Sequence, residues 1–238
     1  MKYYFSILAT FKNETMNLKE WIEHYFWQGA DHLYMIDNGS TDEPYKILDY
    51  YIKAGKVTYY YLPQKWKQLE YYRYVFQNIK TNKETYWLCI TDLDEFWYSP
   101  QNILSKTLRL FEKYDAIHSN WLMFGSDGLK KHPHSIRKSI IHRENNHHCM
   151  TKYILKVSQV RPEDFDIHLC NVKNRIIENK LIRLNHYPIQ SLEFFKKVKM
   201  TRGACDSEVF ENIRDMKYFN DYDQNKTFVD KTLANLIL

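Results

Sequence analysis

Tyr86-Trp87-Leu88-Cys89-Ile90-Thr91 runs without a charge into Asp92-Leu93-Asp94-Glu95, and this junction decides the fold. An apolar run that ends abruptly in carboxylates reads as a strand covered on both faces whose end opens to solvent. The same unit recurs toward the amino terminus. Leu69, Tyr72, Phe76 and Ile79 mark an amphipathic helix, and residues 57–62 a strand before it. Pro44 opens an earlier helix with Ile47, Leu48, Tyr51 and Ile52 as its buried stripe and Gly55 as its stop, behind a strand at 32–36. First in the chain is a strand at 3–9. Leu18, Trp21, Ile22, Tyr25 and Phe26 follow at helical spacing, behind an Asn17-x-x-Glu20 capping box and ahead of Gly29.

Strands alternating with helices in this way predict an α/β fold, a Rossmann-like, mostly parallel sheet flanked by helices. Ligands of such sheets bind beyond the carboxyl ends of the strands, here 10–14, 37–42 and 92–95. The second half is less regular. Ser99-Pro100 predicts a helix to about Tyr114, strand-like runs occupy 116–124, 136–142, 152–157 and 181–184, and a helical stretch starts near Ser191. From Lys226 the chain reads as a helix or a loose tail. With no internal repeat and no Gly/Ser linker, a single compact domain is expected.

Composition narrows the function classes. The 238 residues are 44% hydrophobic and 26% charged with six Gly and six Pro, which excludes disordered, collagen-like and low-complexity chains. A net charge of +5, spread along the sequence, suits a polyanion as small as a nucleotide diphosphate without demanding nucleic acid. Aromatic residues at 16% exceed what a core needs, so sugar or base stacking and core filling are both open. Cys89, Cys149, Cys170 and Cys205 show no CxxC spacing, and His132, His134, His142, His147 and His148 match no familiar zinc pattern. A reduced, cytoplasmic protein is the simplest expectation. The amino-terminal apolar run is too short for a membrane span and lacks a signal-cleavage pattern.

The sharpest chemical signal is Asp92-Leu93-Asp94. Two carboxylates one residue apart at a strand end reach one Mn²⁺ or Mg²⁺, which also bridges phosphate oxygens; the plain alternative is a solvated turn. Asp37 in Asp37-Asn38-Gly39-Ser40-Thr41-Asp42 has the position to accept from a ribose hydroxyl or a base N–H, or simply to make an Asx turn. Neither GxGxxG nor GxxxxGK[ST] is present, which argues against dinucleotide and Walker-type sites.

An ordered series of motifs carries a resemblance. It comprises Phe11-Lys12-Asn13-Glu14, Glu20-Trp21-Ile22, Asp37-Asn38-Gly39-Ser40, Gly55-Lys56-Val57, Gln68 with Tyr72, and Trp87 ahead of Asp92-Leu93-Asp94-Glu95-Phe96. It continues through Trp121-Leu122-Met123-Phe124-Gly125, Asn185-His186-Tyr187, Ser191-Leu192-Glu193-Phe194, Lys197 and Arg202-Gly203. Over residues 4–204 the chain resembles the family 92 and family 2-related glycosyltransferases of GT-A fold. The resemblance implies a metal-dependent transferase that moves a sugar, with inversion, from a nucleotide-diphosphate sugar, a UDP-sugar by preference, to a hydroxyl of a glycan acceptor. The nucleotide-sugar-binding half would be 1–98, the acceptor half 99–225 and the tail 226–238.

Carried over by residue, Thr10, Lys12 and Glu14 would line the nucleotide, Asp37 its uracil or ribose side, and Gln68 the donor pocket. Asp92, Asp94 and His186 would hold the ion, with His168 a second choice to His186. Lys197 and Arg202 would neutralise the leaving diphosphate, whose growing charge must be stabilised. Inversion also needs a general base near the acceptor oxygen, for which Asp127 and Asp164 are the candidates. Trp97 and Trp121 could stack on sugar faces or pack in the core. Gln190 departs from the family, which often places a basic residue there.

Two other function classes compete with this reading. A basic, aromatic-rich nucleic-acid-binding module draws on the Lys/Tyr interleaving of 59–74, but no RRM, KH or zinc-knuckle signature supports it. A sugar-phosphate nucleotidyltransferase also uses paired carboxylates, yet needs a Gly/Arg-rich phosphate loop that is missing near the first strand.

Overall fold

The computed structural model describes residues 1–202 and 214–236. Strands β1 (Tyr3–Phe11), β2 (His32–Asp37), β3 (Val57–Tyr61) and β4 (Thr85–Ile90) alternate with helices α1 (Thr15–Trp27), α2 (Tyr45–Lys53) and α3 (Gln68–Thr81). There follow β5 (Glu95–Tyr98), α4 (Leu104–Thr107), β6 (Ala116–Met123), α5 (Ile136–Ser139), β7 (His142–Arg143) and β8 (Thr151–Lys156). The remainder is β9 (Arg175–Ile177), β10 (Arg183–His186), α6 (Leu192–Lys197), α7 (Met216–Asp223), β11 (Phe228–Val229) and α8 (Thr232–Leu236).

Among the described residues the strands form a nine-stranded sheet in the order β3-β2-β1-β4-β8-β6-β10-β5, with β9 beside β6. From β3 to β4 all pairs are parallel, as the alternation predicts. Strand β8 then inserts antiparallel between β4 and β6. That insertion brings the first residues of β8 beside the last residues of β4.

Side chains alternate across the sheet, and each face finds its own helix. Ile7 and Cys89 join Leu18, Trp21 and Tyr25 of α1 in one core, whereas Leu8, Leu88 and Ile90 join Tyr72, Val75 and Phe76 of α3 in the other. Full burial of a side chain such as Leu18 or Leu88 contributes about 1.5–3 kcal/mol, so the parallel quartet is a stiff platform for whatever its carboxyl ends carry.

Several local expectations are corrected. Helix α1 starts at Thr15, and Asn17 and Glu20 make tertiary bonds in place of a capping box. Asn17 Nδ2 donates to Gln190 Oε1 at 2.9 Å, while Glu20 accepts from Ser135 Oγ, Ile136 N and Arg137 Nε. The stretch 136–142, read as a strand, is a one-turn helix capped by Ser135 and followed by the short β7, because that same Glu20 gathers its first turn. No long helix spans 99–114. Gln28 Oε1 accepts from Ser99 N and Leu104 N, pinning an irregular entry ahead of α4 and a 3-10 turn over Leu108–Phe111. Of the two readings for the chain after Lys226, the helix holds, as α8, through Leu236: Asp230 pairs with Arg143 at 2.7 Å and Arg183 at 2.9 Å, and Leu233 is buried. No helix among the described residues is long and apolar enough to cross a membrane.

Candidate active site

A cavity of about 200 Å³ opens at the carboxyl ends of β1 and β4, where an α/β sheet places its ligands. Thr10 comes from the end of β1, Gln68 from the start of α3, and Asp92 and Asp94 from the turn after β4. Trp121 and His186 reach it from β6 and β10, Glu14 from the residue before α1, and Arg202 from the loop after α6. Each of these is a candidate that the sequence marks, and for Trp121 the cavity wall is its place, not the core alone.

Two lysines that no sequence motif marks, Lys152 and Lys199, meet the carboxylates. Lys152, the second residue of β8, has no exposed surface; its Nζ lies 2.8 Å from Asp92 Oδ2 and 3.9 Å from Glu95 Oε2. The antiparallel register Ile90↔Tyr153 brings it there. Lys199 lines the cavity, 2.6 Å from Asp94 Oδ2 and 3.6 Å from Glu14 Oε1, and Arg202 pairs with Glu14. Lys197, the residue expected to meet the diphosphate, is exposed and bonds Glu193 one helical turn away. Only Val198 separates the expected lysine from the one that faces inward, and the rotation of the chain decides between them.

Electrostatics follow from this packing. Burial alone pushes the Asp92 carboxyl up, but Lys152 overcomes it and holds the group below the usual carboxylate range. For Asp94 the same burial is outweighed by Lys199 and His186, which hold it well below. Glu95, beneath them, is pushed up to about 7 by burial, against the pull of Lys152. It accepts from Thr91 Oγ1, Asp92 N and Trp121 Nε1, the last at 2.7 Å. Burial also brings His168 down to about 4, keeping its ring neutral at ordinary pH.

The expected Mn²⁺ or Mg²⁺ site can be tested against this donor set. Asp92 Oδ1 accepts from Gln68 Nε2 and Tyr72 Oη, Asp92 Oδ2 faces Lys152, Asp94 Oδ2 faces Lys199, and His186 Nε2 is 3.6 Å from Asp94 Oδ1. Three of the four carboxylate oxygens are therefore hydrogen-bonded or paired, the fourth, Asp94 Oδ1, faces only His186, and an ammonium lies against each side chain. Among the described residues no three His, Cys, Asp or Glu side chains converge as metal ligands. Asp92, Asp94 and His186 thus share a cavity but do not fit a divalent ion as arranged.

Other expectations fall outside the cavity. Asp127 accepts from Ile141 N, His142 N and His142 Nδ1, which ties down a loop, and Asp164 pairs with Arg161 at the protein surface. Neither lines the cavity. Asp37 is buried on Tyr59 Oη and Ser40 N, and Lys12 does not line the cavity. Trp97 is core, whereas the Trp121 ring lies 4.3 Å from that of His186. Gly203 and Cys205 lie outside the described residues. His168, only the second choice of the sequence reading, stands where the cavity meets a second one of about 450 Å³ walled by Leu69, Met150, Ile167 and Leu169.

The sequence model of glycosyltransferase family 92 matches residues 2–236, almost the whole chain. The chain belongs to glycosyltransferase family 92. Its fold is that of GT-A glycosyltransferases. The Staphylococcus aureus TarS 1–349 structure in complex with UDP aligns with a TM-score of 0.51 at 13% identity, covering 79% of this family 92 chain and 60% of that one. The chain therefore spans less than two thirds of the TarS protein it matches. GalNAc-T7 with UDP, GalNAc and Mn²⁺ aligns with a TM-score of 0.44 at 13% identity over 78% of this chain and 43% of that one. A Bacillus anthracis glucose-1-phosphate thymidylyltransferase aligns with a TM-score of 0.46 at 8% identity, over 96% and 98%. No curated protein matches the family 92 chain in sequence.

Proposed function

We propose that this cleft transfers a sugar, with inversion, from a UDP-sugar to a hydroxyl of a glycan acceptor. The observation that carries the reading is the polar cavity beyond β1 and β4, where Asp92 and Asp94 lie among Lys199, Arg202 and Gln68. The acceptor oxygen bonds to the anomeric carbon as the bond from that carbon to the phosphate oxygen breaks, its electron pair leaving with the nucleoside diphosphate. Cations aimed at that diphosphate stabilise charge that grows only in the transition state, which is what accelerates the step.

The acceptor proton needs a base on the opposite side, and His168 is the candidate. It borders both cavities, and its neutral ring has a free lone pair, although burial makes it a weak base until the donor is bound. Diphosphate bound nearby adds negative charge and raises the ring's affinity for a proton. The second cavity, apolar at Leu69, Ile167 and Leu169, is the acceptor side.

A panel of UDP-, GDP- and TDP-sugars, assayed for nucleoside diphosphate release with and without glycan acceptors, tests the reading. Transfer from a UDP-sugar with an inverted anomeric centre, seen by NMR of the product, is the expected result. Release of pyrophosphate from a nucleoside triphosphate and a sugar 1-phosphate would instead identify a nucleotidyltransferase.

A further inference from the structure

Asp92 and Asp94 bring two negative charges to the cleft, and Lys152 and Lys199 bring two positive ones against the same oxygens. A divalent ion gripped by an acidic pair does the same arithmetic from outside. Lys152 has no exposed surface and no water to retreat into if an ion arrives, and Lys199 exposes only 5% of its side chain, at the cavity wall. Moving a buried ammonium off its carboxylate leaves a desolvated charge unpaired, which is strongly unfavourable, and the ion would meet both ammoniums at close range. Lys199 also faces the cavity, alongside Arg202.

We propose that this chain binds the donor diphosphate through Lys199 and Arg202, with Lys152 fixing Asp92 beneath them, so that nucleotide binding requires no divalent cation. The inference rests on the nucleotide-sugar reading above and adds how that site handles charge. Lys199 donates to a phosphate oxygen while Asp94 holds its ammonium in position, and Lys152 acts as a positioning residue through Asp92. Asp94 then tunes Lys199 and is not a metal ligand.

The test is calorimetric titration of the whole chain with UDP, once in EDTA and once in Mn²⁺, with GDP as a control nucleotide. Equal UDP affinity in the two conditions is expected. Lys199→Gln should weaken UDP binding in EDTA by about tenfold, the loss of one charge-assisted hydrogen bond, and Lys199→Arg should restore most of it. Asp94→Asn should still bind UDP in EDTA. UDP binding that disappears in EDTA and returns with Mn²⁺, or that Asp94→Asn abolishes in Mn²⁺ while Lys199→Gln is without effect, overturns the proposal. A folded protein that binds neither nucleotide in either condition overturns the nucleotide-sugar reading itself, a result distinct from metal-dependent binding.

Discussion

Lys152 Nζ, without exposed surface, lies 2.8 Å from Oδ2 of Asp92, so the acidic turn after β4 is anchored to the neighbouring antiparallel strand. The pair joins the parallel half of the sheet to β8, and it does so at the floor of the cleft. Lys152→Met is expected to destabilise the protein by about 3 kcal/mol or more, because Asp92 and the fully buried Glu95 lose their cation together. Urea unfolding at neutral pH measures this. A loss well below that figure would mean that the carboxylates find water instead.

His168→Ala is expected to lower kcat for sugar transfer by about a hundredfold or more while leaving the KM for the donor nearly unchanged, the signature of a lost proton acceptor. Asp164→Asn and Lys197→Ala serve as comparisons, since both side chains are engaged outside the cavity, with Arg161 and Glu193. Steady-state kinetics on the transfer reaction should show both at wild-type rates. A large kcat loss in Asp164→Asn would return the base to that residue.

Acid sensitivity should come in part from histidines buried as neutral rings. Burial brings His32 and His118 down to about 4 and His24 well below its usual value. In the unfolded chain these rings titrate near 6.5. Between that value and about 4 the unfolded state binds more protons, so the stability they contribute is present above pH 6.5 and is lost as pH falls through the window. Urea midpoints measured from pH 7 to pH 4 should decline. His118→Gln, which keeps a donor for the Cys170 carbonyl, should flatten the decline.

Gly29→Ala is expected to be strongly destabilising. Gly29 has φ of +82°, which penalises any L side chain, and an added Cβ would lie 2.9 Å from Ile103 Cγ2 with Ser105 closer still. Conformational strain and overpacking each cost about 1–3 kcal/mol, and thermal unfolding should show the combined effect. Gly55→Ala provides the contrast. It shares a positive φ of +67° but has open space around the new methyl, so it should lose only the conformational part.

Much of the fold was legible because its signals are local. The apolar strands β1 and β4, the amphipathic stripes of α1 and α3 and the Gly stops at Gly29 and Gly55 each follow from a few neighbouring residues. The acidic ends of those strands located the cleft, and Thr10, Glu14, Gln68, Asp92, Asp94, Trp121, His186 and Arg202 all line it. Where the reading failed, a distant partner had changed a local preference. Glu20 of α1 gathered 136–139 into a helical turn, and Gln190 drew Asn17 out of a capping role.

By itself, then, the sequence determined the alternation of elements, the parallel quartet and the carboxylates that close it, since backbone period and burial pattern are written residue by residue. Only the tertiary structure decided what faces those carboxylates. Lys152 arrives through the antiparallel insertion of β8, and Lys199 in place of Lys197 through the rotation of the chain leaving α6. The physical reason is that charge pairing depends on distance through space, and residues separated by 105 positions, as Asp94 and Lys199 are, leave no trace of their contact in a linear pattern.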